Sequence, residues 1–82
     1  MEDVNQELFE KLRKIIAKQL QINEEDVKLD ASFRQDLHVD SLDSYELFYA
    51  IEEAMNIKIP DTEAGEIETV HDAYKCIASK VQ

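Results

Sequence analysis

The chain has 82 residues, of which 44% are hydrophobic, so we expect one folded domain with a modest core rather than a disordered segment. Its net charge of −10 makes nucleic acid and anionic membranes poor partners and favours proteins with basic surfaces. The single cysteine excludes an internal disulfide and favours a reducing compartment, and one glycine and one proline argue against an all-β fold.

The first predicted helix runs from about Asp3 to about Leu20. Apolar residues recur along it at helical spacing, namely Val4, Leu8, Leu12, Ile15 and Ile16. The basic stretch between Lys11 and Lys18 follows acidic residues at a spacing of four, which stabilises a helix through its own side chains. We therefore interpret this stretch as a solvated helix surface rather than a partner site.

The helical period is lost between Gln21 and Val39. Asn23 is predicted to cap a single helical turn that ends near Val27. Three apolar residues at four-residue spacing are expected to attach this long loop to the rest of the domain, and they are Leu29, Phe33 and Leu37.

The second predicted helix, from about Ser41 to Met55, has two apolar stripes where a surface helix needs only one. The stripe expected to enter the core consists of Leu47, Phe48, Ile51 and Met55. The stripe roughly opposite consists of Leu42, Tyr45 and Tyr49, with the acids Asp43, Glu46 and Glu53 between the two stripes. A second apolar stripe beside carboxylates predicts a docking surface, and Asp36 and Asp40 extend its acidic part.

Ser41, at the start of this helix, has two interpretations. Serine and aspartate are both common N-caps, so either Asp40 or Ser41 is suited to that role. If Asp40 is the cap, the Ser41 hydroxyl is exposed in the first turn, next to free N–H groups and the positive end of the helix dipole. That position suits a phosphate ester, whereas an isolated serine at a helix start is more often a cap.

The last third of the chain predicts two further helices. Pro60 ends the preceding pattern, and Asp61 is predicted to cap a short third helix that stops near Gly65. Thr69, with Asp72 three residues later, is predicted to cap the fourth helix. Its apolar stripe consists of Val70, Ala73, Tyr74, Ile77 and Val81. The prediction is an all-α fold, a small antiparallel four-helix bundle with a long first loop and a short third helix, as a single domain over residues 1–82.

The sequence argues against catalysis and against a metal site. No glycine of a nucleophile elbow flanks Ser41, so His38 and a nearby aspartate do not predict a hydrolase. The acids around Ser41 lack the central glycine and the final glutamate of a calcium loop, and no Cys/His cluster predicts zinc. Cys76 lies beside the apolar stripe of the fourth helix with no base evident nearby, so it is not predicted to be a nucleophile.

Residues 36–47, with the sequence DLHVDSLDSYEL, resemble the prosthetic-group site of acyl carrier proteins. Further matches occur in register at Ala31-Ser32-Phe33, Glu52-Glu53, Ile59-Pro60-Asp61 and Thr69-Val70. The resemblance covers nearly the whole chain and is weakest over the first twenty residues. It implies that Ser41 carries 4′-phosphopantetheine, derived from coenzyme A, whose thiol holds acyl chains as thioesters.

By the same resemblance, the partners are a phosphopantetheinyl transferase and the acyltransferases, ketoacyl synthases, reductases and dehydratases of fatty-acid synthesis. Their basic patches would meet a docking face formed by Asp36, Asp40, Leu42, Asp43, Tyr45, Glu46, Tyr49 and Glu53. With no apolar run of membrane-spanning length and no signal-peptide pattern, we expect a cytoplasmic monomer that is not an enzyme. Two alternatives stay open: a specialised carrier of polyketide or aminoacyl intermediates, and an acidic interaction module that is never modified.

Four residues depart from the family pattern. His38 stands where the family usually has glycine, so the turn before Ser41 either has no positive φ or has one that His38 tolerates. Tyr45 and Tyr49 replace smaller residues on the recognition helix, and Lys58 interrupts an acidic region. We expect these departures to affect the choice of partner rather than the carrier role.

Overall fold

The computed structural model describes residues 5–81, which form four α-helices. They are α1 (Gln6–Leu20), α2 (Ser41–Met55), α3 (Asp61–Ala64) and α4 (Val70–Val81), with a 3-10 turn at Glu24–Asp26 in the long loop. Within the described residues there is no strand, only one isolated antiparallel bridge between Ser32 and Thr69. The predicted all-α bundle with a long first loop and a short third helix is confirmed.

Helix α1 begins later than predicted. The backbone of Asn5 is extended, and its side-chain oxygen accepts a hydrogen bond from the Leu8 N–H at 3.2 Å, so Asn5 caps a helix that starts at Gln6. Asp3, the predicted start, and Val4, a predicted member of the apolar stripe, lie outside the described residues. The predicted end at Leu20 is confirmed.

Helices α1 and α2 end in the same kind of left-handed turn. Gln21 after α1 has a φ of 59°, and the following N–H, of Ile22, donates to the Ala17 carbonyl at 3.0 Å. Asn56 after α2 has a φ of 56°, and the N–H of Ile57 donates to the Glu52 carbonyl at 3.1 Å. These are Schellman motifs, in which a residue of positive φ lets the chain satisfy the last helical carbonyls.

The core is formed by one face of each long helix together with buried residues of the loops. The largest fully buried side chains are Leu12, Ile16, Val27, Leu47, Ile51, Val70 and Ile77. The predicted inner stripe of α2 is confirmed, because Leu47 and Ile51 are buried and Phe48 and Met55 pack against the core while partly exposed. The predicted stripe of α4 holds except at Val81, which is 42% exposed near the end of the helix.

The long loop is attached to the start of α4 mainly through its backbone. Carbonyl oxygens of Leu29 and Ala31 accept the N–H groups of His71 and Val70, and the Phe33 N–H donates to the Glu68 carbonyl, at 2.9–3.0 Å. Of the three predicted anchors only Phe33 is buried, whereas Leu29 and Leu37 are partly buried against the core. The loop also buries Val27, Ala31 and Val39, which the four-residue spacing did not predict.

Of the three N-caps predicted outside α2, the one at Asp61 is wrong, the one at Asn23 is correct in position only, and the one at Thr69 is confirmed. Asn23 precedes the 3-10 turn without a side-chain hydrogen bond, and Pro60 takes the cap position of α3, so Asp61 is the first helical residue there. At α4 the prediction holds: the Thr69 hydroxyl accepts the Asp72 N–H at 3.1 Å, and the Asp72 carboxylate accepts the Thr69 N–H at 3.2 Å. Helix α3 ends at Gly65 as predicted, but with a φ of −67° rather than a left-handed conformation.

Candidate prosthetic-group site

Asp40, not Ser41, caps α2. An Asp40 carboxylate oxygen accepts the Asp43 N–H at 2.8 Å, and the Asp40 carbonyl accepts the Ser44 N–H at 2.9 Å. Ser41 is therefore the first residue of a fifteen-residue helix, and its side chain is exposed. Because an N–H in the first turn has no helical carbonyl to reach, the backbone donors of Ser41 and Leu42 remain available beside the hydroxyl.

The turn that leads into Ser41 contains a strained residue and a buried anchor. His38 has a φ of 57°, so the alternative in which this non-glycine residue tolerates a left-handed conformation is the correct one. Val39 follows it into the core and donates its N–H to the Phe33 carbonyl at 2.7 Å. Asp36 accepts the Ser32 N–H at 2.7 Å, so one of its oxygens already stabilises the loop. These contacts set the position at which α2 begins.

A cavity of about 220 Å³ lies between α2 and α3, with Ser41 among its lining residues. Phe33 and Phe48 meet edge to face in its wall, with ring centroids 6.2 Å apart. The other lining residues are Arg34, Ser44, Tyr45, Leu47, Asp61, Ala64, Gly65 and Ile67. The hydroxyl of Ser41 thus lies next to a partly apolar space that can receive a flexible chain.

The second apolar stripe of α2 is exposed as predicted. Leu42, Tyr45 and Tyr49 have 66%, 69% and 63% of their surface exposed, whereas the inner stripe of the same helix is buried. Of the predicted docking acids, Asp36, Asp40, Glu46 and Glu53 are exposed and Asp43 is partly buried. None of these acids forms an ion pair within residues 5–81, so their charges are available to a partner.

A cluster that the sequence did not reveal connects α3 to α4. The Cys76 thiol donates to one Glu63 carboxylate oxygen at 3.3 Å, and the Lys80 ammonium donates to the other at 3.1 Å. The Lys80 and Cys76 hydrogen bonds lower the pKa of Glu63, while burial and the Glu63 carboxylate raise the pKa of the Cys76 thiol. Cys76 is therefore held as a neutral donor rather than a nucleophile.

The described residues show neither a group of side chains arranged to hold a metal ion nor a helix long and apolar enough to cross a bilayer.

Comparison with known proteins identifies the family. The family model for the phosphopantetheine attachment site matches residues 10–77. The acyl carrier protein of Treponema denticola is 60% identical over 74 residues, which cover 90% of this chain and 95% of that protein. The chain belongs to the acyl carrier protein family. The acyl carrier proteins of Treponema pallidum and Borrelia garinii are 57% and 47% identical, over 92% and 93% of this chain and 96% and 95% of their own lengths.

The prosthetic group of this family is 4′-phosphopantetheine, and the residues at the start of α2 fit it. A phosphate ester needs an accessible hydroxyl, which Ser41 has, and backbone donors, which the first turn of α2 offers. The pantetheine chain needs an adjoining surface that is not charged throughout, and the cavity between α2 and α3 provides it. When attached, the group supplies a thiol that holds an acyl chain as a thioester.

Proposed function

We propose that Ser41 is the residue that carries 4′-phosphopantetheine, and that the chain delivers acyl thioesters between enzymes of fatty-acid biosynthesis without catalysing a step itself. The observation that supports this most is the division of roles at the start of α2. Asp40 caps the helix, which leaves the Ser41 hydroxyl exposed at the rim of the cavity. A serine needed for capping would have its oxygen occupied by a backbone N–H.

Attachment requires a phosphopantetheinyl transferase that uses coenzyme A. The Ser41 oxygen forms the new bond to phosphorus and loses its proton to a base of the transferase, while the pyrophosphate bond of coenzyme A breaks and the nucleotide leaves. The free N–H groups of Ser41 and Leu42 and the positive end of the α2 dipole stabilise the added negative charge.

The exposed face of α2 is the proposed docking surface for enzymes that act on the acyl group. Leu42, Tyr45 and Tyr49 supply apolar contact area next to the attachment residue. The acids around them, Asp36, Asp40, Asp43, Glu46 and Glu53, attract basic patches on acyltransferases, ketoacyl synthases, reductases and dehydratases. Contacts of this kind increase the rate of encounter more than the lifetime of the complex, which suits a carrier that visits several enzymes.

We further propose that the chain acts as a cytoplasmic monomer. Its net charge of −10 makes two copies repel each other, and the acidic face of α2 increases that repulsion locally. The Cys76 thiol is partly buried and hydrogen-bonded to Glu63 within the same chain, which is compatible with a reducing compartment.

The proposal is tested by intact mass after incubation with coenzyme A and a broadly specific phosphopantetheinyl transferase. We expect a gain of one phosphopantetheine in the wild type and none in Ser41→Ala. Ser44→Ala is the matched control, because Ser44 lies one turn further along α2 and lines the same cavity. A gain of mass in Ser41→Ala would show that the group is attached at another residue. No gain in a folded wild type would leave the acidic interaction module as the better account.

A further inference from the structure

Among residues 5–81, Arg34 is the one cationic residue that lines the cavity next to Ser41. Its side chain is exposed, and it forms no hydrogen bond or ion pair within residues 5–81. Arg13, by comparison, donates to the Val27 carbonyl at 3.1 Å and stacks over the Phe9 ring at 4.7 Å. Arg34 thus lines the cavity without a side-chain contact that holds the fold together.

The backbone around Arg34 is nevertheless well fixed. The preceding residue, Phe33, is buried, donates its N–H to the Glu68 carbonyl at 3.0 Å and accepts the Val39 N–H at 2.7 Å. The following N–H, of Gln35, donates to the Ser32 hydroxyl at 3.1 Å. The loop therefore determines where the Arg34 side chain begins, and only its flexible part is free to move toward the cavity.

A phosphodiester on Ser41 would add negative charge where acids already dominate. Asp40 and Asp43 lie within two residues of Ser41, Asp61 lines the same cavity, and the chain as a whole has a net charge of −10. Like charges this close disfavour the added phosphate. The backbone donors of α2 offset part of this repulsion, and in the part of the chain that the structure describes, Arg34 is the only cationic side chain of the cavity lining that can offset more.

We propose that Arg34 binds the phosphate that joins the prosthetic group to Ser41. The guanidinium presents several N–H donors in a planar fork that matches two phosphate oxygens, a geometry that a lysine ammonium lacks. Because Arg34 and Ser41 line the same cavity, this contact directs the attached chain along the groove between α2 and α3 rather than away from the protein. This inference rests on the proposed attachment at Ser41.

The test compares unmodified and phosphopantetheinylated protein for the wild type, Arg34→Gln, Arg34→Lys and Lys58→Gln. Lys58→Gln is the matched control, since Lys58 is an exposed cation in a loop and does not line this cavity. We expect modification to lower the melting temperature of Arg34→Gln by about 2–4 °C more than that of the wild type at low salt. The extra loss should be smaller in Arg34→Lys, absent in Lys58→Gln, and reduced at high salt.

A second measurement reports on the phosphate itself. The phosphorus-31 resonance of the modified protein should shift in Arg34→Gln relative to the wild type and stay in place in Lys58→Gln. An unchanged resonance together with equal melting-temperature differences in all variants would overturn the assignment of Arg34 while leaving Ser41 as the attachment residue. A wild-type chain that gains no mass would instead overturn the attachment at Ser41, and this inference with it.

Discussion

Replacing His38 by glycine should stabilise the fold, because His38 has a φ of 57° in the turn before α2. A left-handed conformation costs a residue with a Cβ atom about 1–2 kcal/mol, and glycine avoids this cost. Glycine also gains freedom in the unfolded chain, which opposes folding by about 0.5–1 kcal/mol. The His38 side chain is exposed, so little packing is lost with it.

Mid-range values of these two costs leave a gain of about 0.7 kcal/mol in the free energy of unfolding, and because histidine tolerates positive φ better than most residues, the gain is at or below that value. For a domain of this size, such a gain raises the melting temperature by up to about 6 °C. Circular dichroism at 222 nm during heating gives the melting temperature, and the same signal during urea titration gives the free energy of unfolding. The midpoint should rise without a change in the urea m-value, because the fold itself is unchanged.

Two variants separate backbone strain from the side chain. His38→Ala removes the imidazole and keeps a Cβ at positive φ, so it should not be stabilised. Gln21 has a φ of 59° after α1, so Gln21→Gly should relieve the same backbone strain and raise the free energy of unfolding by a similar amount. The reasoning is refuted if His38→Gly unfolds at or below the wild-type temperature while Gln21→Gly unfolds above it.

Three further outcomes follow from the geometry. Glu46→Lys should slow association with a basic partner enzyme by roughly two- to tenfold at low salt and leave the melting temperature unchanged; equal rates would contradict the docking role of α2. Burial raises the pKa of Asp72, but N–H groups of Glu68 and Thr69 lower it more, so this carboxylate stabilises the fold above its unfolded pKa. Asp72→Asn should therefore lower the free energy of unfolding, measured with urea, by at most about 1 kcal/mol relative to the wild type. This difference should disappear as the pH falls below about 4, and a difference that does not change with pH would contradict the stabilising role of the Asp72 carboxylate. Glu63→Gln should speed alkylation of Cys76, because the carboxylate raises the thiol pKa, whereas Lys80→Gln should not; equal rates would show that the α3–α4 cluster does not form.

Local patterns predicted the parts of the structure that depend on neighbours along the chain. The bounds of α2, its buried and exposed stripes and the reciprocal Thr69–Asp72 cap involve spacings of three or four residues, which helical geometry fixes. The same patterns left the α2 cap open between Asp40 and Ser41, and the structure assigns it to Asp40. The assignment of Ser41 as the attachment residue depended on a family resemblance as well, because capping and attachment place a serine at the same kind of position.

Features that join distant parts of the chain could not be predicted in this way. The Cys76–Glu63 contact spans thirteen residues, and the backbone bond from Val70 to Ala31 involves no side-chain signal at all. Local reasoning also failed at two helix starts. The Asp61 cap was wrong because the Pro60 carbonyl accepts the N–H groups of Glu63 and Ala64, which puts the cap position of α3 one residue earlier. The predicted start of α1 was too early because Asn5, which lies within an apolar pattern, was not recognised as the cap.

The two walls of the cavity differ in stiffness. On one side, fifteen-residue α2 packs two fully buried side chains into the core, and the loop before it is fastened to α4 by backbone bonds. On the other, α3 has four residues and no buried side chain, and a carboxylate at Glu63 links it to α4. Regions with few buried contacts open at the lowest free energy. If Ser41 carries the proposed group, a longer acyl chain would displace α3 rather than α2, and Ser41 would keep a constant separation from the proposed docking face whatever the chain length.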